Sequence, residues 1–256
     1  MLIAQISDTH ILVPESDHPA AGRRADGLRR SVADINRQRP DAVIFTGDTV
    51  QHGLAEEYAY LRDLLAPLRA PLYLIPGNRD DRGALRAAFA DHPHLPKNGE
   101  FVHYTVEDHA LRLVALDSTS PGERKGFFCP MRQAWLDGVL SARPDRPTVL
   151  FIHHPPFDIG DHYVGGYRRP EEAAALAEVV GRHPQVTRLL CGHVHLSVEQ
   201  PWAGTTASVM PSIAVDVRKG VDEIEAREQP IYVLHRLSGE TTLVSQARRI
   251  DASQQL

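Results

Sequence analysis

Cysteine is scarce in this chain of 256 residues: Cys129 and Cys191 are the only two, far apart and in no Cys-x-x-Cys pattern. That excludes a disulfide scaffold and fits a reducing compartment. Cys191, in the apolar run Leu189-Leu190-Cys191, reads as a small buried hydrophobe. Long apolar runs are lacking too. No stretch approaches the roughly 20 residues needed to span a bilayer. Residues 1–13 have no basic leader and contain Gln5, Asp8 and His10, so they read as a first strand rather than a signal peptide. A cytoplasmic, soluble protein is the expectation. There is no excess of positive charge: the net charge is −5, which argues against a protein that coats nucleic acid. The arginine pairs at 23–24, 29–30, 168–169 and 248–249 read mostly as solvated surface. Several catalytic signatures are also missing. There is no Gly-x-Ser-x-Gly elbow, no Gly-x-x-x-x-Gly-Lys-Ser/Thr loop and no His-Glu-x-x-His helix. The first strand leads into Ser7-Asp8-Thr9-His10 rather than a glycine-rich turn, which removes a dinucleotide site.

What is present is an alternation of apolar strands and amphipathic helices. Residues 2–7, 42–46 and 72–75 read as fully apolar strands. The intervening stretches 28–39, 56–68 and 84–90 read as helices, and Pro40 stops the first of them. Strands apolar on both faces imply a parallel sheet covered by helices. Residues 101–106 and 111–116 form a hairpin pattern, followed by a helix at 131–140, a strand at 148–152, an alanine-rich helix at 171–180 and a strand at 188–191. Beyond Pro201 the chain reads as β, notably 231–236 and 241–245 around Ser238-Gly239-Glu240, and the acidic stretch 221–228 reads as a solvated helix or loop. The expectation is an α/β fold with two sheets face to face and helices outside. An apolar content of 42% supports one large domain over residues 1–256, with residues from about 216 to 256 as a C-terminal β extension.

Chemistry concentrates where these strands end. Asp8-Thr9-His10, Gly47-Asp48, Gly77-Asn78, His153 and Gly192-His193-Val194-His195 each lie at or just past a strand. In open α/β sheets, ligands gather in the crevice beyond the carboxyl ends of the strands. Asp8 and His10, like His193 and His195, are two residues apart, so extended backbone would send both side chains to one side. Glycine before Asp48, Asn78 and His193 lets the chain turn tightly and leaves room for a ligand. Taken singly, Gly-Asp is usually a turn and His-x-His is frequently surface, and 14 histidines generate some such pairs by accident. The ordered set of seven donors is a stronger signal than any member. Carboxylate and amide oxygens mixed with imidazoles suit divalent or trivalent Zn, Mn, Fe or Co. Seven donors are too many for one tetrahedral ion and suit two ions sharing a carboxylate.

In that order the five motifs resemble the calcineurin-like metallophosphoesterases over residues 1 to about 200. Pro121-Gly122-Glu123, Trp135-Leu136 and His153-His154-Pro155-Pro156 further resemble its bacterial cyclic-nucleotide and glycerophosphodiester phosphodiesterase branch. The resemblance implies a four-layer α/β-β/α sandwich of two mixed sheets flanked by helices. It implies one metal on Asp8, His10, Asp48 and His195, and a second on Asp48, Asn78, His153 and His193, with Asp48 bridging. It also implies hydrolysis of small phosphodiesters by a hydroxide held between the ions, with no covalent phosphoenzyme, and a homo-oligomeric assembly, for which the C-terminal extension at about 216–256 is the candidate contact.

Arg79 departs from the closest pattern, where histidine commonly follows the metal-binding asparagine. Arginine can clamp phosphate with its planar fork but cannot act as the acid. Arg79 is therefore expected to steady transition-state charge and bind substrate, with Asp48 catalytic through the metals. The leaving-group proton is left to His52, His154, His162 or solvent. His154 and Tyr163 are the other expected substrate-binding residues, with Tyr167 beside them in the glycine-rich segment 160–167. Trp135 reads as core. The Asn78-Arg79-Asp80 wording also occurs in a branch that cleaves nucleotide-sugar pyrophosphates, which is the enzymatic alternative. A non-catalytic scaffold of the same fold is the other.

Overall fold

The computed structural model describes residues 1–220 and 229–250, so the acidic stretch expected at 221–228 lies outside the described residues. The chain opens with β1 (Leu2–Ile6), α1 (Ala21–Gln38), β2 (Ala42–Phe45), α2 (Ala55–Leu65), β3 (Leu72–Leu74) and α3 (Arg82–Ala88). It continues through β4 (Tyr104–Val106), β5 (Arg112–Leu116), α4 (Pro130–Ser141), β6 (Thr148–Ile152), α5 (Pro170–Gly181) and β7 (Val186–Cys191). The hairpins β8 (Val198–Trp202) with β9 (Thr205–Val209) and β10 (Ile231–Ser238) with β11 (Thr242–Arg249) follow.

Two mixed sheets result, one ordered β11-β10-β1-β2-β3 and the other β4-β5-β6-β7-β9-β8. The parallel strands are apolar throughout because both of their faces are covered. In the second sheet the alternation is sorted residue by residue. Leu113, Ala115, Val149, Phe151 and Leu190 join the core between the sheets. Val114, Leu116, Leu150, Ile152, Leu189 and Cys191 face α4 and α5 instead. Helices α1 to α3 cover the other side of the first sheet, completing four layers. β10 is an internal strand of the first sheet, antiparallel to β1.

One chain of polar contacts ties this frame together. His235 on β10 lies 2.9 Å from the Ser245 hydroxyl and 3.0 Å from Gln5 Oε1, and Gln5 Nε2 donates to Thr46 Oγ1 and to the carbonyl of Cys191 in the other sheet. Among the described residues, no helix is long and apolar enough to cross a membrane.

Candidate metal centre

The carboxyl ends of both sheets meet at one point. β1 supplies Asp8 and His10, β2 supplies Asp48, and the loop after β3 supplies Asn78. From the second sheet, β6 ends at His153, and β7 leads to His193 and His195. Backbone bonds lock these ends together: Asp8 N–H donates to the Gly47 carbonyl, His10 N–H to that of Asp48, and Gly192 N–H to that of His153. The expected extended geometry is corrected here. Asp8 (φ 53°), His10 (φ 47°), Asp48 (φ 48°), His193 (φ 72°) and His195 (φ 61°) are all left-handed. Non-glycine residues seldom adopt this region, and where they cluster the surrounding structure must hold them there. The glycines make room. A Cβ on Gly77 would sit 2.2 Å from Asp48 N and 2.3 Å from Asp48 Oδ1, and one on Gly192 would sit 2.1 Å from Ser7 Oγ.

The seven side chains form two groups joined at Asp48. In the first, His195 Nε2 lies 3.2 Å from Asp8 Oδ1 and 3.2 Å from His10 Nε2, which is itself 3.7 Å from Asp48 Oδ2. In the second, His153 Nε2 lies 3.5 Å from Asp48 Oδ1, 3.3 Å from Asn78 Oδ1 and 3.2 Å from His193 Nδ1. Tautomers follow from the remaining nitrogens. His153 Nδ1 donates to the Thr46 carbonyl at 2.7 Å and His195 Nδ1 to that of Val217 at 3.0 Å. In their neutral forms both histidines therefore turn an Nε2 lone pair toward carboxylate, amide and imidazole acceptors. Acceptors aimed at acceptors in buried surroundings repel one another, and a cation shared among them turns that repulsion into attraction. The donor set thus fits metal on geometry and chemistry together.

Titration sorts these groups: burial works to lower His195, but the Asp8 carboxylate outweighs it and raises that imidazole, while the others follow burial or their neighbours. Burial pushes Asp48 up to about 7, with the Asp8 and Asp80 carboxylates adding to it and His153 opposing. Burial also works to raise Asp8, but the imidazoles of His195, His153 and His10 outweigh it and hold that carboxyl below the ordinary range. Burial pushes His10 down to about 3 and His193 well down, leaving both neutral and able to donate a lone pair.

A cavity of about 410 Å³ opens over this centre, lined in part by Asn78, Arg79, Tyr163, His193 and His195. Arg79 N–H donates to Asp48 Oδ1 at 2.7 Å, and its side chain lies on the cavity wall. The Tyr163 ring stands edge-on to His193 with centroids 5.5 Å apart, and its hydroxyl donates to the Pro155 carbonyl.

His154, expected to contact substrate, is not among the residues that line the cavity. That residue is fully buried, with Nδ1 2.8 Å from the Ser118 hydroxyl and Nε2 3.2 Å from the Arg124 carbonyl. It packs against the rings of His153 and His193 and braces them. Tyr167 is likewise buried, donating to the His154 carbonyl rather than facing the cavity. His52 is held by Glu57, while His162 lines the cavity. Sequence reasoning missed Arg124, Lys125 and Lys219, which also line it. They sit in loops without periodicity, and only their charge marked them.

A family model described as calcineurin-like phosphoesterase matches residues 1–197. A protein of Arcobacter nitrofigilis named a probable glycerophosphodiester phosphodiesterase, GpdQ, is 33% identical over 254 residues, covering 96% of this chain and 92% of that one. The 3',5'-cyclic adenosine monophosphate phosphodiesterase CpdA of Pseudomonas aeruginosa is 27% identical over 256 residues, covering 98% and 90%. Among solved structures, a dimetal phosphatase from Danio rerio superposes with a TM-score of 0.70 at 14% identity, covering 96% of this chain and 98% of that one. That last likeness is one of fold.

Proposed function

Because the chain belongs to the calcineurin-like phosphoesterases, we propose that this cavity is the active site of a metal-dependent phosphoric diester hydrolase acting on small phosphodiesters. The observation that carries the reading is the pair of donor groups sharing Asp48, whose lone pairs face one another across a buried centre. One ion would be held by Asp8, His10, Asp48 and His195, and a second by Asp48, Asn78, His153 and His193. When bound, the two ions supply Lewis acidity, acidifying a water and drawing charge from the phosphoryl oxygens. The mixed donor set suits Mn, Fe, Zn or Co.

The chain's own groups do the remainder. The carbonyls of Thr46 and Val217 hold His153 and His195 in the tautomer that presents Nε2. Arg79 takes part in no ion pair among the described residues and lines the cavity beside Asp48 and Asn78, which supports its assignment to the scissile phosphate. Its planar fork binds that anion and steadies the added charge as the P–O bond breaks. Hydrolysis adds water across that bond, and the departing oxygen must gain a proton. His154 is sealed and His52 is turned to Glu57, so the imidazole of His162 at the cavity wall is assigned to share this proton with solvent.

The relatives named for glycerophosphodiesters and for a cyclic nucleotide support small diesters as the substrate class. A metal-free scaffold is at odds with left-handed backbone at five of the seven donors, all directed at one point. The test is hydrolysis of bis(p-nitrophenyl) phosphate beside p-nitrophenyl phosphate, after chelation and after Mn²⁺ is restored. Turnover that returns with the metal and favours the diester is expected. Turnover indifferent to chelation, or confined to the monoester, would overturn the reading.

A further inference from the structure

Charge around this cavity departs from that of the chain as a whole. The protein is net negative at −5, yet the cavity walls bear Arg79, Arg124, Lys125 and Lys219, and the one carboxylate among the lining residues is Asp48, already part of the donor cluster. Elsewhere, three buried arginines are neutralised, Arg24 by Asp216, Arg112 by Glu107 and Arg188 by Glu199, while buried Arg132 is held by the carbonyls of Phe127 and Thr119. None of the four cavity cations takes part in an ion pair among the described residues.

Their backbones are anchored to the donor groups. The Arg124 carbonyl lies 3.2 Å from Nε2 of His154, whose ring packs on His193, so Arg124 and Lys125 stand on that side. Lys219 N–H donates to the His195 carbonyl at 3.0 Å, which places it on the other side. A simple phosphodiester carries one negative charge, and Arg79 together with the metals answers it. Arg124, Lys125 and Lys219 are exposed and enter no ion pair among the described residues, so their mutual repulsion is modest, and an anion entering the mouth turns it into attraction.

We propose, resting on the phosphodiesterase reading above, that the preferred substrate carries a further phosphate group beyond the scissile diester. Arg124, Lys125 and Lys219 hold that second phosphate while Arg79 faces the first. Diesters with a cationic head group are disfavoured by the same charges.

The test uses two substrates that differ by one phosphate: the p-nitrophenyl ester of thymidine 5'-phosphate, with and without a 3'-phosphate. Both release p-nitrophenolate from the same scissile group. In the metal-loaded full chain at low ionic strength, the 3'-phosphate should raise kcat/KM on the order of tenfold, mainly through KM. The ratio should fall toward one at about 0.5 M salt, where charges a few ångströms apart are screened. It should fall likewise in the double variant Arg124→Ala/Lys125→Ala and in Lys219→Ala. The salt series on the unmodified chain carries the test even where a variant folds poorly. Equal kcat/KM for the two substrates, or a ratio that neither salt nor substitution moves, would sink the inference while leaving the phosphodiesterase reading in place. Hydrolysis of neither would overturn both.

Discussion

Asp80 accepts from the backbone N–H groups of Gly77 and Thr49, from the Thr49 hydroxyl and from the Tyr58 phenol. It thereby pins the loop bearing Asp48 to the loop bearing Asn78 without touching the centre itself. An Asp80→Asn side chain has one acceptor oxygen in place of two, so some of these donors lose their partner. Metal affinity should drop by roughly 10–100-fold, read by titrating the metal-depleted protein with Mn²⁺. A fall of less than twofold would show that the two loops hold themselves. Gly77→Ala is the steric counterpart. Its Cβ would press on Asp48 backbone and carboxylate, neither of which can yield, so we expect a loss of about 1–3 kcal/mol in stability, measured by denaturant unfolding, together with reduced metal content. His162→Asn probes the proton. It should slow diesters with poor leaving groups while barely changing p-nitrophenyl esters, whose leaving group needs no acid; equal slowing of both would move the proton's source elsewhere. At this scale the clustering of the seven side chains was legible because each follows a recognisable strand end, and the burial of His154 was not, because its neighbour's place says nothing of where its own ring turns. Arg124, Lys125 and Lys219 offered no pattern beyond charge, since loop geometry is set by tertiary contacts that no local periodicity records.

Among elements, strand β6 was read with its observed limits, because continuous apolar runs bounded by polar residues leave little choice. Helix α1 was read from residue 28, yet it begins at Ala21. Its first turns carry Arg23, Arg24 and Asp26, which look like solvated loop. Arg24 is in fact buried, bonded to Asp216 and to the His10 carbonyl, so a charge signalled a brace rather than a surface. Strand β8 was missed because Pro201 interrupts it, an arrangement that an edge strand tolerates. The strand β10 has a consequence for pH. Burial, with Arg188 nearby, pushes His235 from 6.5 down to about 3. Above the ordinary value both folded and unfolded forms are neutral, and the full stability is present. As pH falls below about 6.5 the unfolded chain takes up a proton that the native site refuses, so stability declines by about 1.4 kcal/mol per pH unit. Urea unfolding near neutrality and near about pH 5 should show this loss, and His235→Gln should lessen the slope. An unchanged slope in the variant would place the titration on other groups.

Across the whole molecule, neither sheet owns a complete donor set. Asp8, His10, Asp48 and Asn78 come from one and His153, His193 and His195 from the other, so a bound metal bridges them. Metal at a hundredfold excess over its dissociation constant should stabilise the native state by about 2.7 kcal/mol per site. For a chain of this size that amounts to a rise in Tm on the order of 5–10 °C for each site filled, over the chelated protein, in a thermal scan. A Tm indifferent to chelation would mean that the sheets associate without help from the centre. The same division has a bearing on synthesis. A ribosome delivering the chain from its N-terminus releases all of the first sheet's ligands before any of the second's, and those last histidines lie almost two hundred residues along. Until the second sheet's histidines emerge and dock, beginning with His153, the nascent chain holds only an open half-shell of oxygens and one imidazole. Capture of the metal pair is then among the last acts of maturation, and an unfinished chain has little means of drawing scarce ions away from finished ones.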